Sequence, residues 1–237
     1  MQGYGAFARF YDSTVGDVSP KIEFLRSLIK KHKPDARTVL EMACGTGTIL
    51  KGLSDEFEVA GLDLSQEMIE IARKKLPHKD IRAGDMTSFN FNSSFDVVLC
   101  VFDSINHLLK WEDWVATFDR ARAHLNEGGL FIFDFNPEKR LEYLSSLPIA
   151  VTPLGEDYLL TKIGKDAARY FFDEKVFEKT DTDIYRMHHE VIYEASFRLD
   201  LVKNELAKSF EILEISNNRG LSEDHQNWRP FLVCKKK

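Results

Sequence analysis

Residues 39–50 read VLEMACGTGTIL. An apolar pair, Val39-Leu40, meets an acid at Glu41. The chain then passes two glycines one residue apart, Gly45 and Gly47, and resumes as Thr48-Ile49-Leu50 with helical character. This is how a strand hands a ligand to a helix. Glycine lets the backbone approach closely because no Cβ intervenes, and the first turn of the helix carries free N–H groups. In an open parallel sheet such a turn lies at the carboxyl end of a strand, where ligands bind. A dinucleotide turn has a third glycine, in G-x-G-x-x-G, for close helix–strand packing. Here Leu50 stands at that place. Glu41 would also lie beside a pyrophosphate, which is unfavourable. It suits a ligand that carries a cation in that region.

The segments around this turn alternate between helix and strand through residue 136. Ser19-Pro20 opens a helix, with Ile22, Leu25, Leu28 and Ile29 at helical spacing up to the KKHK run before Pro34. Thr38–Met42 is a strand, 48–55 a helix and 57–62 a strand. Ser65 caps a helix ending before Pro77. Asp80–Ala83 and 95–102 are strands, 111–125 is an amphipathic helix closed by Gly128-Gly129, and 130–135 is a strand. Apolar strands alternating with helices indicate a parallel sheet covered on both faces. After Asn136-Pro137 the pattern changes. Residues 157–163, 168–180 and 183–194 read as strands without intervening helices, with a hairpin turn at Thr180-Asp181-Thr182-Asp183. A helix over 197–209 and strands over 210–215 and 230–233 complete the chain. The expected architecture is one α/β domain, residues 1–136 and 197–237, with an antiparallel β cap inserted at 137–196.

The whole composition bounds what such a fold does. The chain has 237 residues, 43% hydrophobic and 30% charged, enough for a sizeable core. A net charge of -6 gives no electrostatic reason to seek nucleic acid, and the Lys235-Lys236-Lys237 cluster reads as a solvated terminus. Cys44, Cys100 and Cys234 are odd in number and have no metal-ligand spacing; no metal is expected. The N-terminus lacks the pattern of a signal peptide, and no apolar stretch approaches the ~20 residues that span a bilayer. A cytoplasmic protein without membrane attachment, monomeric or homodimeric, is expected.

Two further acids follow strand ends. Asp63, in AGLDLS, lies where a carboxylate accepts hydrogen bonds from both hydroxyls of a ribose, with Leu64 against an adenine face. Asp85, in GDM, can accept an exocyclic amine while Met86 packs on the ring. Residues 39–47 (VLEMACGTG), 60–65 (AGLDLS), 84–86 (GDM), 95–107 (FDVVLCVFDSINH) and 125–135 (LNEGGLFIFDF) resemble, in order and spacing, the motifs of class I S-adenosylmethionine-dependent methyltransferases. The resemblance implies a Rossmann-like seven-stranded sheet with its last strand antiparallel and helices on both faces. It implies S-adenosylmethionine as cofactor, held by Tyr11, Glu41, Ala43, Gly45, Gly47, Asp63, Leu64, Asp85, Met86, Val101 and Phe102. Ala43 stands where many members have glycine. FARFYDSTVGD and CVFDSINHL look like a narrower group of small-molecule methyltransferases, some acting on amino sugars, which also insert antiparallel strands after the fifth strand.

An amine acceptor must arrive neutral, so a base helps. His107, after the fourth strand, is the candidate; its plainer reading is a capping or packing histidine. Asp103 and Asn106 in the same loop, and His188 and His189 on the last inserted strand, are candidate substrate contacts. The two histidines point to opposite faces. Arg229 and Trp228 can also hold a substrate. The expected function is methyl transfer to a nitrogen or oxygen of a small molecule. The alternatives are an RNA- or protein-directed methyltransferase, disfavoured by VFDS where an NPPY-type signature would stand, and a non-catalytic cofactor-binding protein.

Overall fold

The computed structural model describes residues 5–167, 169–217 and 229–237. A 3-10 turn, Gly5–Phe10, leads into α1 (Tyr11–Val15) and α2 (Ser19–His32). Then follow β1 (Thr38–Met42), α3 (Thr48–Leu53), β2 (Glu58–Asp63), α4 (Gln66–Lys75), β3 (Asp80–Ala83), β4 (Phe95–Cys100), α5 (Trp111–Ala123) and β5 (Leu125–Asp134). After α6 (Glu138–Ser146) come four strands, β6 (Ala150–Leu154), β7 (Asp157–Asp166), β8 (Arg169–Asp181) and β9 (Ile184–Glu194). The chain closes with α7 (Leu199–Leu206), β10 (Phe210–Asn217) and β11 (Pro230–Lys236). Among the described residues no helix is long and apolar enough to cross a membrane.

The main sheet has seven strands in the order β10-β11-β5-β4-β1-β2-β3. Only β11 runs antiparallel to its neighbours. The order reverses between β1 and β4, so the crevice for a ligand opens at the carboxyl ends of those two strands. Alternate residues of each strand feed two cores. Val39, Val97 and Ile132 pack with Ile22, Leu25, Leu50 and Ile69 from α2, α3 and α4 on one face. Leu40, Val98 and Phe131 pack with Trp114, Phe118 and Val202 from α5 and α7 on the other. The second face is aromatic: Trp114 meets Phe135 edge-on at 5.5 Å, and Phe131 stacks on Phe133 at 4.8 Å.

The missing third glycine of the β1–α3 turn has a structural substitute. Leu50 is fully buried, and the room it needs comes from Gly61 on β2. A Cβ there would lie 2.6 Å from Leu50 Cδ1 and 2.9 Å from Cys44 Sγ. Close helix–strand packing is thus retained with the large and small partners exchanged.

Some elements depart from expectation. α5 ends at Ala123, and Gly128-Gly129 lie inside β5 at a register shift against β4, with Gly128 at φ 67°. These glycines make a bulge and do not close the helix. β4 stops at Cys100, because Phe102 (φ 61°) and Asp103 (φ 51°) turn the chain in left-handed conformation. Residues 138–146, within the stretch read as β cap, form α6, with Leu141 buried. The remaining inserted strands make a second antiparallel sheet, β6-β7-β8-β9. Its hairpin turn is Thr182-Asp183, with Asp183 at φ 57°. The sheet is held from below by Phe7 and Phe10, which pack on Leu159 and Val176.

Gly61→Ala tests the exchanged packing. The added methyl has no space, so unfolding free energy should fall by about 1–3 kcal/mol. Urea denaturation measures it; an unchanged midpoint would show that Leu50 and Cys44 yield freely.

Candidate active site

The glycine turn is built from left-handed residues: Ala43 (φ 54°), Gly45 (φ 52°) and Gly47 (φ 76°). The Asp63 carboxylate ties it to the end of β2. Asp63 Oδ2 accepts from the Gly45 N–H at 2.8 Å, and Oδ1 accepts from the Ser65 N–H at 2.9 Å. Ser65 in turn caps α4 by accepting from Met68 N–H. Two of roughly four acceptor positions on the carboxylate are therefore used. Burial pushes the Asp63 carboxyl above its usual range, against these N–H bonds, which lower it.

The N-terminal segment closes over this turn. Asp12 accepts from Thr46 Oγ1 (2.5 Å), Thr48 Oγ1 (3.0 Å) and Lys75 Nζ (2.5 Å). This latch brings the Tyr11 ring over Gly45, where a Cβ would touch it at 3.6 Å. Burial, and then Asp103, Asp63 and Glu41, drive the Tyr11 phenol upward, so it is a neutral hydroxyl. Beneath it a small chamber is lined by Tyr11, Glu41, Ala43, Val101 and Phe102. Glu41 is 3% exposed and its Oε2 has no hydrogen-bond partner among the described residues. Burial, reinforced by Asp63, pushes its carboxyl well up, and Lys21 opposes this. A buried orphan carboxylate oxygen is costly unless a ligand meets it.

A larger cavity of about 490 Å3 adjoins the chamber, sharing Tyr11, Ala43 and Phe102. It is the size of a small-molecule site. Gly45, Asp63, Leu64, Asp85 and Met86 form one wall. Leu64 is 49% exposed, an apolar side chain at the cavity with little to cover it. Asp85 Oδ1 accepts from Thr87 N–H and Oγ1. His107 and Leu108 after β4 also line it, with Arg169, Glu190, Ile192 and Tyr193 from the second sheet. A ring nitrogen of His107 donates to the Tyr193 carbonyl, and burial holds the imidazole below its usual pKa despite Asp103.

Asp103, Asn106, His188 and His189 do not line this cavity. Asp103 belongs to a buried ion network. Its Oδ1 accepts from Arg229 Nη2 and its Oδ2 from Asn136 Nδ2, while its N–H donates to Asp134 Oδ1 at 3.0 Å. Asp134, fully buried, lies 2.8 Å from Arg229 Nε and 3.4 Å from Lys21 Nζ. Lys21 Nζ also sits 4.0 Å from the Phe102 ring centroid. Asn106 is fully buried and stitches the two sheets together. Its Nδ2 donates to the carbonyls of Asn136 (3.0 Å) and Ala195 (2.8 Å), and its Oδ1 accepts from Asn136 N–H (2.9 Å). Both residues are therefore framework, because the left-handed turn at Phe102-Asp103 swings them behind the cavity wall. His188 pairs with Glu178 at 2.9 Å and lies against Phe10; His189 pairs with Asp173 at 2.7 Å on the exposed face. The alternation that sets them on opposite faces leads neither to the cavity, which Glu190 and Ile192 reach farther along β9. Arg229 is a network member and its side chain is already paired. Trp228 lies outside the described residues.

Among the residues that sequence reasoning missed are four from the second sheet, Arg169, Glu190, Ile192 and Tyr193. Their only signal was periodicity of two along the inserted strands, which names a face without saying what it faces. Among the described residues no group of three or more His, Cys, Asp or Glu side chains converges as a metal site.

Residues 39–129 match the family described as methyltransferase domain. Two relatives are similar over that region. The dTDP-3-amino-3,6-dideoxy-alpha-D-glucopyranose N,N-dimethyltransferase of Streptomyces fradiae is 38% identical over 46% of this chain and 44% of its own length. The dTDP-3-amino-3,4,6-trideoxy-alpha-D-glucopyranose N,N-dimethyltransferase of Streptomyces venezuelae is 33% identical over 53% of each. The chain thus spans about half the length of these curated relatives. In fold, it resembles an S-adenosylmethionine-dependent methyltransferase from Clostridium acetobutylicum, with a TM-score of 0.86 and 23% identity over 98% of both chains. The sugar N-methyltransferase KedS8 from Streptoalloteichus gives a TM-score of 0.83 at 23% identity, over 98% of this chain and 93% of that one.

Removing Asp134 would strand the buried Lys21 cation and leave Arg229 with Asp103 as its remaining ion-pair partner. Breaking such a pair costs about 3–5 kcal/mol. Asp134→Ala should lose that much in urea denaturation; a loss under about 1 kcal/mol would mean that water or relaxation replaces the carboxylate.

Proposed function

We propose that this chain is an S-adenosylmethionine-dependent methyltransferase acting on a nitrogen of a small molecule held between the main sheet and the second sheet. The observation that carries the reading is the convergence of four strand ends on one ligand space. Gly45 after β1, Asp63 at the end of β2, Asp85 after β3 and His107 after β4 line one cavity, and the orphan oxygen of Glu41 lies in the chamber beside it.

The residues fit the cofactor group by group. Glu41 offers a carboxylate to its ammonium end and the glycine turn offers close backbone approach. Asp63 retains acceptor positions for two ribose hydroxyls. Leu64 and Met86 supply apolar surface for adenine, and Asp85 an acceptor for its amine. Val101 and Phe102 floor the small chamber, and Tyr11 closes it. When bound, the cofactor supplies a methyl group activated by a sulfonium. The protein's own task is to align the acceptor, exclude water and hold a proton acceptor nearby. Residues 137–196 act as the cap, excluding water from the sulfonium.

His107 fits the role of base by tautomer. One ring nitrogen donates to the Tyr193 carbonyl, so in the neutral ring the other is an acceptor. Its lowered pKa keeps the ring neutral at physiological pH. The relatives' names specify amino groups on nucleotide-linked sugars, which favours nitrogen over oxygen and a small acceptor over RNA or protein.

Methyl transfer from labelled S-adenosylmethionine to dTDP-3-amino-3,6-dideoxyglucose and to a panel of small primary amines tests the reading. Turnover on an amine of either kind is expected. Labelling of RNA or protein alone would move the chain to another substrate class, and cofactor binding without any turnover would make it a non-catalytic binder. Asp63→Ala should weaken cofactor binding roughly 30- to 1000-fold, from about 2–4 kcal/mol of lost charge-assisted bonds. His107→Ala should lower turnover about 100-fold or more with little change in cofactor affinity; normal turnover would remove His107 from the mechanism.

A further inference from the structure

Phe102 stands at the boundary between the two voids. With Tyr11 and Ala43 it lines both the small chamber and the larger cavity. It also turns the chain in left-handed conformation, at φ 61°, followed at once by Asp103 at φ 51°. A residue other than glycine keeps such a conformation only where its surroundings over-determine it. Here one buried acid does so from two sides. Asp134 Oδ1 accepts from the Asp103 N–H at 3.0 Å and fixes the backbone after the ring. Asp134 Oδ2 faces Lys21 Nζ at 3.4 Å, and that ammonium sits 4.0 Å from the Phe102 ring centroid. Attraction between an ammonium and an aromatic face grows where water is excluded, and the Lys21 side chain is only 10% exposed. Burial holds Lys21 below its ordinary pKa range, while Asp134 favours the charged form.

Lys21 itself lines neither void, and no step of methyl transfer uses it. Its place behind the ring gives it another task. We propose that Lys21 is a positioning residue: through its contact with the Phe102 ring it keeps the small chamber open to the amino acid end of the cofactor. The inference rests on the methyltransferase reading and deepens it by naming what holds the site's shape from behind. The chamber measures about 50 Å3, so a small swing of the ring decides whether an amino acid chain enters. Lys21 also opposes the rise of the Glu41 carboxyl. That is a separate, electrostatic route to the same chamber, and the two routes make different predictions.

S-adenosylhomocysteine and 5'-methylthioadenosine share the adenosine and the sulfur, and only the first carries an amino acid end. The ratio of their calorimetric affinities therefore reports on the chamber. It is measured for the wild type, Lys21→Met, Lys21→Arg, Phe102→Leu and the double variant Lys21→Met/Phe102→Leu. Methionine fills the space of lysine without its charge, and Asp134 keeps Arg229 as a partner. The wild type should favour S-adenosylhomocysteine. Lys21→Met should lose about tenfold of that preference, and Lys21→Arg should retain most of it. Once Phe102 is leucine, Lys21→Met should add no further loss. A wild-type ratio in Lys21→Met, or an equal weakening of both ligands, overturns the inference and leaves the cofactor reading intact. So does a loss that persists in the Phe102→Leu background, which would run through Glu41 and not through the ring. Should Lys21→Met fail to fold, Lys21→Gln, neutral and still able to donate to Asp134, carries the same measurement, and an unchanged ratio there overturns the inference. Failure of the wild type to bind either ligand overturns the methyltransferase reading as well.

Discussion

One carboxylate joins the two turns that make the site. Asp63 accepts from the Gly45 N–H after β1 and from the Ser65 N–H before α4. A parallel sheet leaves unsatisfied backbone donors wherever a strand ends and a helix begins, and Asp63 gathers two such donors at adjacent strands. Its position follows from the β1–β2 register, in which Met42 is level with Leu62. With the turns fixed, Gly45 faces the ligand space, Ser65 caps α4, and Lys75 at the far end of α4 reaches Asp12. The N-terminal helix then lies over the glycine turn and brings Tyr11 with it. The geometry of this cavity wall thus hangs on a carboxylate that itself lines the cavity.

The charge behind the site is organised differently from the charge within it. Behind β4 and β5, Asp103 and Asp134 are matched by Arg229 and Lys21 at ion-pair distance. Glu194 joins them through Asn136 and is pushed well up by burial and by Asp103. Of the acids lining the ligand space, Asp12 is matched by Lys75, and the others have no ion-pair partner among the described residues. Glu41, Asp63, Asp85 and Glu190 face a chamber or cavity whose described walls contain one committed arginine.

The main sheet was legible from the sequence because its strands are doubly covered and therefore continuously apolar. Thr38–Met42 and Asp80–Ala83 agree in both bounds, and Asp63 and Asp85 line the larger cavity. Local rules failed where tertiary structure overrode them. Gly128-Gly129 read as a helix stop, yet β4 pairing continues past them by a bulge. Phe102 and Asp103 read as strand and contact, yet both adopt positive φ, which neither residue type announces. α6 was missed because the strands after it set the expectation for the whole insertion; Pro137 followed by EKRLEYL carries a helix signal. His188 and His189 drew attention as chemistry-bearing residues, but ion pairs with Glu178 and Asp173 account for both. Which residues of the second sheet line the cavity depends on how the two sheets dock, and Asn106, Asn136 and Ala195 tie them together across long sequence separations.

The central claim is that an unpaired acid at the glycine turn selects a cofactor with a cationic amino acid end over one with a pyrophosphate. Calorimetric titration with S-adenosylhomocysteine and, separately, NAD tests it most directly. The account expects S-adenosylhomocysteine to bind at micromolar concentration and NAD to bind far more weakly. Preference for NAD would contradict it.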